Sequence, residues 1–154
     1  MPLASKLDDL DKKILSSLQH DARASFADLA RNFGVSEATI HLRVRKMREA
    51  GVIKGFYTIV APEKVGKGFT ALVYLKVDPL KYANVLEHLL RMKDLYEIYD
   101  VTGEYYAVIK VRTNGSEGLA KILDILGKVD GIISTMSVVV LRTLKEELKM
   151  DLGL

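Results

Sequence analysis

Over the first fifty positions, apolar residues recur three and four apart; beyond residue 52 they follow a shorter, strand-like rhythm. Leu10, Ile14 and Leu18 form one stripe, with Leu15 beside it. Phe26, Leu29, Ala30 and Phe33 form a second, and Ile40, Val44 and Met47 a third. Polar residues stand where each helix should begin. Asp8 precedes the first stripe, with Asp11 three residues on. Ser25 and Asp28 repeat that spacing, with Asp in place of the usual Glu, and Ser36 precedes the third stripe. Gly51 falls where the third helix should stop. The pattern predicts three short helices joined by tight turns.

The second half reads differently. Residues 53–60 are rich in β-branched and aromatic side chains and stop at Ala61-Pro62, which predicts a strand. Residues 63–68 hold Gly66 and Gly68 and read as a linker. A strand is expected over 70–77, stopped by Asp78-Pro79. A helix over 80–91 carries Val85, Leu86, Leu89 and Leu90. Strands at 96–101 and 106–112 flank a loop. A helix over 117–128 turns Leu119, Ile122, Leu123 and Leu126 inward, and a last strand covers 132–143. The order from residue 70 is βαββαβ. The expected class is α+β: an N-terminal three-helix helix-turn-helix domain, then a C-terminal ferredoxin-like βαββαβ domain.

Composition narrows the function classes. Cysteine is absent, so disulfides, thiol catalysis and cysteine-ligated zinc are excluded. The histidines at 20, 41 and 88 have no metal-ligand spacing, and no metal site is expected. No nucleophile motif or phosphate loop appears; Gly66-Lys67-Gly68 lacks the surrounding spacing. No catalytic residues and no cofactor are expected, and the chain does not read as an enzyme. No run of eighteen apolar residues exists, so no membrane partner is expected. The opening residues hold no apolar core before a small-residue cleavage site, so a signal peptide is not expected either. A cytoplasmic, DNA-associated location is. The net charge of +3 is uneven: residues 1–60 carry 10 Lys+Arg against 7 Asp+Glu, while the rest balances at 13 and 13. The excess cations lie with the three helices, where a polyanion would suit them.

Those helices fit one motif. Leu29 and Ala30 provide a packed pair in the second helix, Gly34 a turn that reaches positive φ, and Val35 packs back. With Ile40, Val44 and Met47 inward, the third helix presents Ser36, Glu37, Thr39, His41, Leu42, Arg43, Arg45, Lys46 and Arg48 outward. A recognition helix puts its N-terminal residues on base edges in the major groove of double-stranded DNA, and later cations on phosphates. Ser36, Thr39 and His41 are therefore base-reading candidates, with Glu37 beside them. Arg43, Arg45 and Lys46 are candidates for phosphate or guanine.

In the second domain the loop of Thr102, Gly103, Glu104, Tyr105 and Tyr106 stands out. Gly103 allows a turn with exposed backbone N–H groups able to meet a carboxylate, Thr102 adds a hydroxyl, and Glu104 could meet an ammonium. A plain hairpin loop is the other reading.

Together these segments resemble the leucine-responsive regulatory protein/AsnC family, the feast/famine regulators, over nearly the whole chain. The likeness is carried by Leu10 to Leu15, by Asp28-Leu29-Ala30, and by Val35 to Ile40 running on through Arg43 to Met47. It continues in Gly51 to Phe56, Thr102-Gly103-Glu104-Tyr105 and Thr135-Met136-Ser137. The resemblance implies residues 1–52 as a DNA-binding domain, 53–68 as a connecting strand and linker, and 69–154 as a ligand-sensing and oligomerisation domain. It implies homodimers that assemble further, to an octamer, and an amino-acid effector bound between dimers. The residues implied for the effector are Thr102, Gly103, Glu104, Tyr105, Tyr106, Thr135 and Ser137. Two positions depart from the family pattern. Tyr106 stands where the family has Asp, which removes an ammonium partner or loop-fixing acceptor. Ser137 replaces a commoner Thr. The reading is a sequence-specific DNA-binding transcriptional regulator modulated by an amino acid. The alternative is an architectural DNA-binding protein without an effector.

Overall fold

The computed structural model describes residues 7–154. Contacts divide the chain into two compact units, one reaching Ile59 and joined by Lys145–Leu154, the other Val60–Leu144. By contacts the last ten residues group with the N-terminal unit.

The N-terminal unit, or head, holds α1 (Asp9–His20), α2 (Phe26–Phe33) and α3 (Glu37–Glu49). Each begins at the cap its sequence supplies. The Asp8 carboxylate accepts the Asp11 N–H at 2.8 Å and the Asp11 carboxylate accepts the Asp8 N–H at 3.3 Å, a reciprocal capping box. Ser25 Oγ accepts the Asp28 N–H, and Ser36 Oγ the Thr39 N–H. Gly34 ends α2 with φ 67°, left-handed backbone that a side chain would strain. This lets the Val35 N–H return to the Ala30 carbonyl at 3.0 Å and turns the chain sharply into α3. Ile14, Leu15, Leu18, Leu29, Ala30, Ile40, Val44 and Met47 form the core. Leu152 packs against it from the C-terminal segment. There the Gln19 amide donates to the Met150 carbonyl at 3.1 Å and its carbonyl accepts the Met150 N–H at 2.6 Å.

The strand expected over residues 53–60 does not form. No described strand lies alongside to pair it, and a ladder needs a partner for its N–H and C=O groups. Phe56, Tyr57, Ile59 and Val60 are left exposed.

The second unit is βαββαβ: β1 (Phe69–Val77), α4 (Tyr82–Arg91), β2 (Leu95–Asp100), β3 (Ala107–Thr113), α5 (Ser116–Leu126) and β4 (Ile132–Val139). The antiparallel sheet has order β2-β3-β1-β4. Alternation places Ala71, Val73, Leu75 and Val77 of β1, with Ala107, Ile109 and Val111 of β3, on the helix side. Val85, Leu89, Leu119, Ile122 and Leu126 close over them. Leu90, read as part of the α4 stripe, is exposed instead. β4 stops short of residue 143 because its neighbour runs out: the Val140 N–H reaches the Thr70 carbonyl, and β1 begins one residue earlier. Among the described residues no helix is long and apolar enough to cross a membrane.

Both helices of this unit pack on one side of the sheet. On the opposite face, register aligns Tyr99, Val108, Tyr74 and Met136 in one row, and Lys110, Leu72 and Val138 in the next. Tyr99, Met136 and Val138 are exposed.

Candidate nucleic-acid interface and ligand loop

Helix α3 lies with Ile40, Val44 and Met47 buried, so its remaining faces are fixed by the 100° turn per residue. Glu37, Ala38, His41, Leu42, Arg45, Lys46 and Arg48 are exposed, whereas Thr39 and Arg43 are half-buried. Several candidates are already engaged. Ser36 Oγ and Thr39 Oγ1 lie 2.8 Å apart, each partnering the other within the cap. His41 Nε2 is 3.5 Å from the Glu37 carboxylate, and its ring meets Phe26 edge-on with centroids 4.8 Å apart. Arg45 lies 3.9 Å from Glu49, both largely exposed.

Arg43 is held differently. Its guanidinium donates to Asp8 at 2.5 Å and to Asp11 at 3.3 Å, tying α3 to the N-terminal cap of α1. The Asp11 N–H holds the Asp8 carboxyl below the ordinary carboxylate range, and Arg43 adds to that. The Asp8 hydrogen bond in turn raises Arg43. Arg43 thus joins two helices, while Arg45 and Lys46 project away from the core. A shallow groove of about 960 Å³ runs along this side of α3, past Ala38, His41, Leu42, Arg45 and Phe56.

The loop between β2 and β3 places its side chains on two sides of the sheet. Gly103 turns it with φ 113°. Thr102 is exposed beside it. Tyr105 goes to the open face, its ring 5.4 Å from that of Tyr74 and its hydroxyl donating to Met136 Sδ at 3.4 Å. Glu104 lies 3.4 Å from Lys76. Tyr106 goes to the helix side, ring against ring with Tyr82 at 4.6 Å. The Tyr82 hydroxyl donates to the Asp100 carboxylate. Burial first, and that bond second, push the Tyr82 hydroxyl up to about 12.

Thr135 and Ser137 stand on edge strand β4, in register with Leu75 and Val73, so they share the helix-side face. Strand β1 separates them from the loop. Tyr105 nonetheless crosses β1 on the open face to reach Met136, which stands between Thr135 and Ser137. Pattern reading also passed over Tyr82 and Asp100, which surround the tyrosine that replaces the family's Asp. Asp100, two residues ahead of Thr102, carried a positional signal; Tyr82 had none, because its place against the loop depends on the fold.

A helix-turn-helix head followed by a ferredoxin-like unit with a glycine-turned loop defines a DNA-binding regulator with a ligand domain. The comparisons agree. Residues 7–48 match the AsnC-type helix-turn-helix domain, and residues 70–150 match the Lrp/AsnC ligand binding domain. The HTH-type transcriptional regulator FL11 of Pyrococcus horikoshii is 40% identical over 146 residues, covering 95% of this chain and 97% of that protein. The solved structure of AsnC from E. coli superposes with a TM-score of 0.87 at 34% identity, covering 92% of this chain and 96% of the other. The feast or famine regulatory protein of M. tuberculosis, solved in complex with L-methionine, superposes with a TM-score of 0.86 at 28% identity, covering 94% and 98%. The chain belongs to the Lrp/AsnC family of DNA-binding transcriptional regulators.

Proposed function

We propose that this regulator reads a discrete DNA site through the outer face of α3, and that an amino acid bound at the loop of the ferredoxin-like unit modulates assembly or DNA affinity. What carries the DNA half is the exposure of Glu37, His41, Arg45 and Lys46 on one helix, opposite its buried seam. Ser36, Thr39 and Arg43 set that helix in place through its cap and through α1. Arg43 thereby shifts from a groove candidate to a positioning residue.

The effector half is supported by the M. tuberculosis relative, which was solved with L-methionine. In this reading the contact surface comprises Thr102, Gly103, Glu104, Tyr105 and Tyr106 of one chain with Thr135 and Ser137 of another, because those two stand on the edge strand of the sheet. Homodimers, assembled further to an octamer, supply the second copy. Two features support such assembly: the open sheet face with Tyr99, Met136 and Val138, and the unpaired stretch at 53–60 with its exposed apolar residues. The reading is of a cytoplasmic regulator rather than an enzyme, in line with relatives named as transcriptional regulators.

A second reading, an architectural DNA-binding protein without an effector, is favoured by one observation: Tyr106 occupies the Asp position and spends its ring on Tyr82. Calorimetric titration of the full chain with each amino acid separates the two. Saturable heat from one amino acid, abolished by Gly103→Val, supports the regulated form. Silence across all of them, together with footprints that follow no sequence, supports the architectural form.

A further inference from the structure

Several polar groups on the N-terminal half of α3 have partners within the protein. Ser36 and Thr39 bond each other, Glu37 and His41 face each other, and Arg43 is bound to Asp8 and Asp11. Among these polar groups the same half also presents apolar ones. Each residue turns the helix by about 100°. Leu42, two steps after Ile40 and two before Val44, lies almost diametrically opposite the buried seam. Ala38 lies one turn earlier on the same line. Leu42 is 40% exposed despite its size, and Ala38 is exposed as well.

A single exposed leucine is ordinary. This one occupies the centre of the helix face that the proposed reading gives to DNA, beside His41 and one turn before Arg45 and Lys46. Cations further along the helix reach phosphates. The group at the centre of the face then meets base edges. In the major groove, the 5-methyl of thymine is the apolar feature that distinguishes a base pair. We propose that Leu42, with Ala38 beside it, packs on a thymine 5-methyl and gives the protein a thymine preference at one position of each half-site. The inference rests on the reading that α3 enters the major groove, and it assigns the residue and the base group.

The test uses the full-length protein and a duplex selected by it from a random-sequence pool. Uracil replaces each thymine in turn, removing only the methyl and leaving the pairing intact. Wild type should lose roughly three- to fivefold in affinity at one thymine per half-site, the worth of one buried methyl. Leu42→Ala should bind thymine and uracil duplexes equally. Leu42→Gln, selected afresh, should move the preference at that position toward adenine, which glutamine reads bidentately. Wild type indifferent to every uracil, or Leu42→Ala still discriminating, overturns the assignment. Arg45→Ala and Lys46→Ala are the controls for the underlying reading. If they weaken binding while the methyl does not matter, only Leu42 is misassigned. If neither variant weakens binding, α3 does not face DNA and both readings fail.

Discussion

At the scale of single residues, the structure divides groups that look alike in sequence. Arg43, Arg45 and Lys46 are close neighbours and all cationic, yet Arg43 is anchored to Asp8 and Asp11 while the other two project outward. Arg45→Ala should lower affinity for all duplexes and flatten the salt dependence by about one unit in a log–log plot. Arg43→Ala should lower the thermal midpoint of the head more than Arg45→Ala does. The Asp8 carboxyl titrates below its unfolded value of about 3.9. Its charged form is the one stabilised on folding. That contribution is complete above this value and is lost as pH falls through the lower folded value. Asp8→Ala should therefore remove part of the acid dependence of unfolding. Tyr82 runs the other way. With its hydroxyl raised to about 12, the neutral phenol is stabilised. Its contribution holds below the unfolded value of about 10 and is lost as pH rises through the folded one. Phenolate absorbance should show Tyr82 titrating late, with Tyr99 also raised by its hydrogen bond to Glu97. Asp100→Asn should bring Tyr82 down only partway, because burial is the larger cause.

At the scale of elements, what could be read from the sequence was whatever is local. The caps at Asp8, Ser25 and Ser36, the turn at Gly34 and the stripes of α1, α2 and α3 are all set by residues within a few positions of one another. Gly34→Ala should cost about 1 kcal/mol in chemical denaturation, the strain of a side chain in left-handed backbone. Features decided at a distance were not legible. The stretch at 53–60 has strand-forming residues, but pairing is a property of two segments, and among the described residues no strand lies alongside it. β4 was read too long because its end is set by where β1 begins. Arg43 could pair with a carboxylate of a neighbouring helix, but which one was not legible, because Asp11 of α1 and its cap Asp8 lie 32 and 35 positions away. The C-terminal segment gave no sign of returning to α1. The Gln19 amide that holds Met150 is such a contact, and Gln19→Ala should destabilise the head by roughly 1 kcal/mol, read as a lower urea midpoint.

At the scale of the whole molecule, one chain supplies a DNA-reading helix and a ligand-domain loop but not a closed ligand site. Thr135 and Ser137 stand on edge strand β4, across β1 from the loop, and in the proposed assembly a second copy completes the site. Gly103→Val forces a side chain where φ is 113°. It should abolish amino-acid binding and shift the oligomer size by light scattering, while leaving thermal unfolding of the head in place. The central claim is that this assembly recognises a particular DNA sequence through α3. The most direct measurement is the ratio of affinities for a selected duplex and its scrambled counterpart, by fluorescence anisotropy at matched salt. The account predicts a ratio of about a thousand or more, with Arg45→Ala weakening both duplexes. Equal affinity for the two sequences would contradict it.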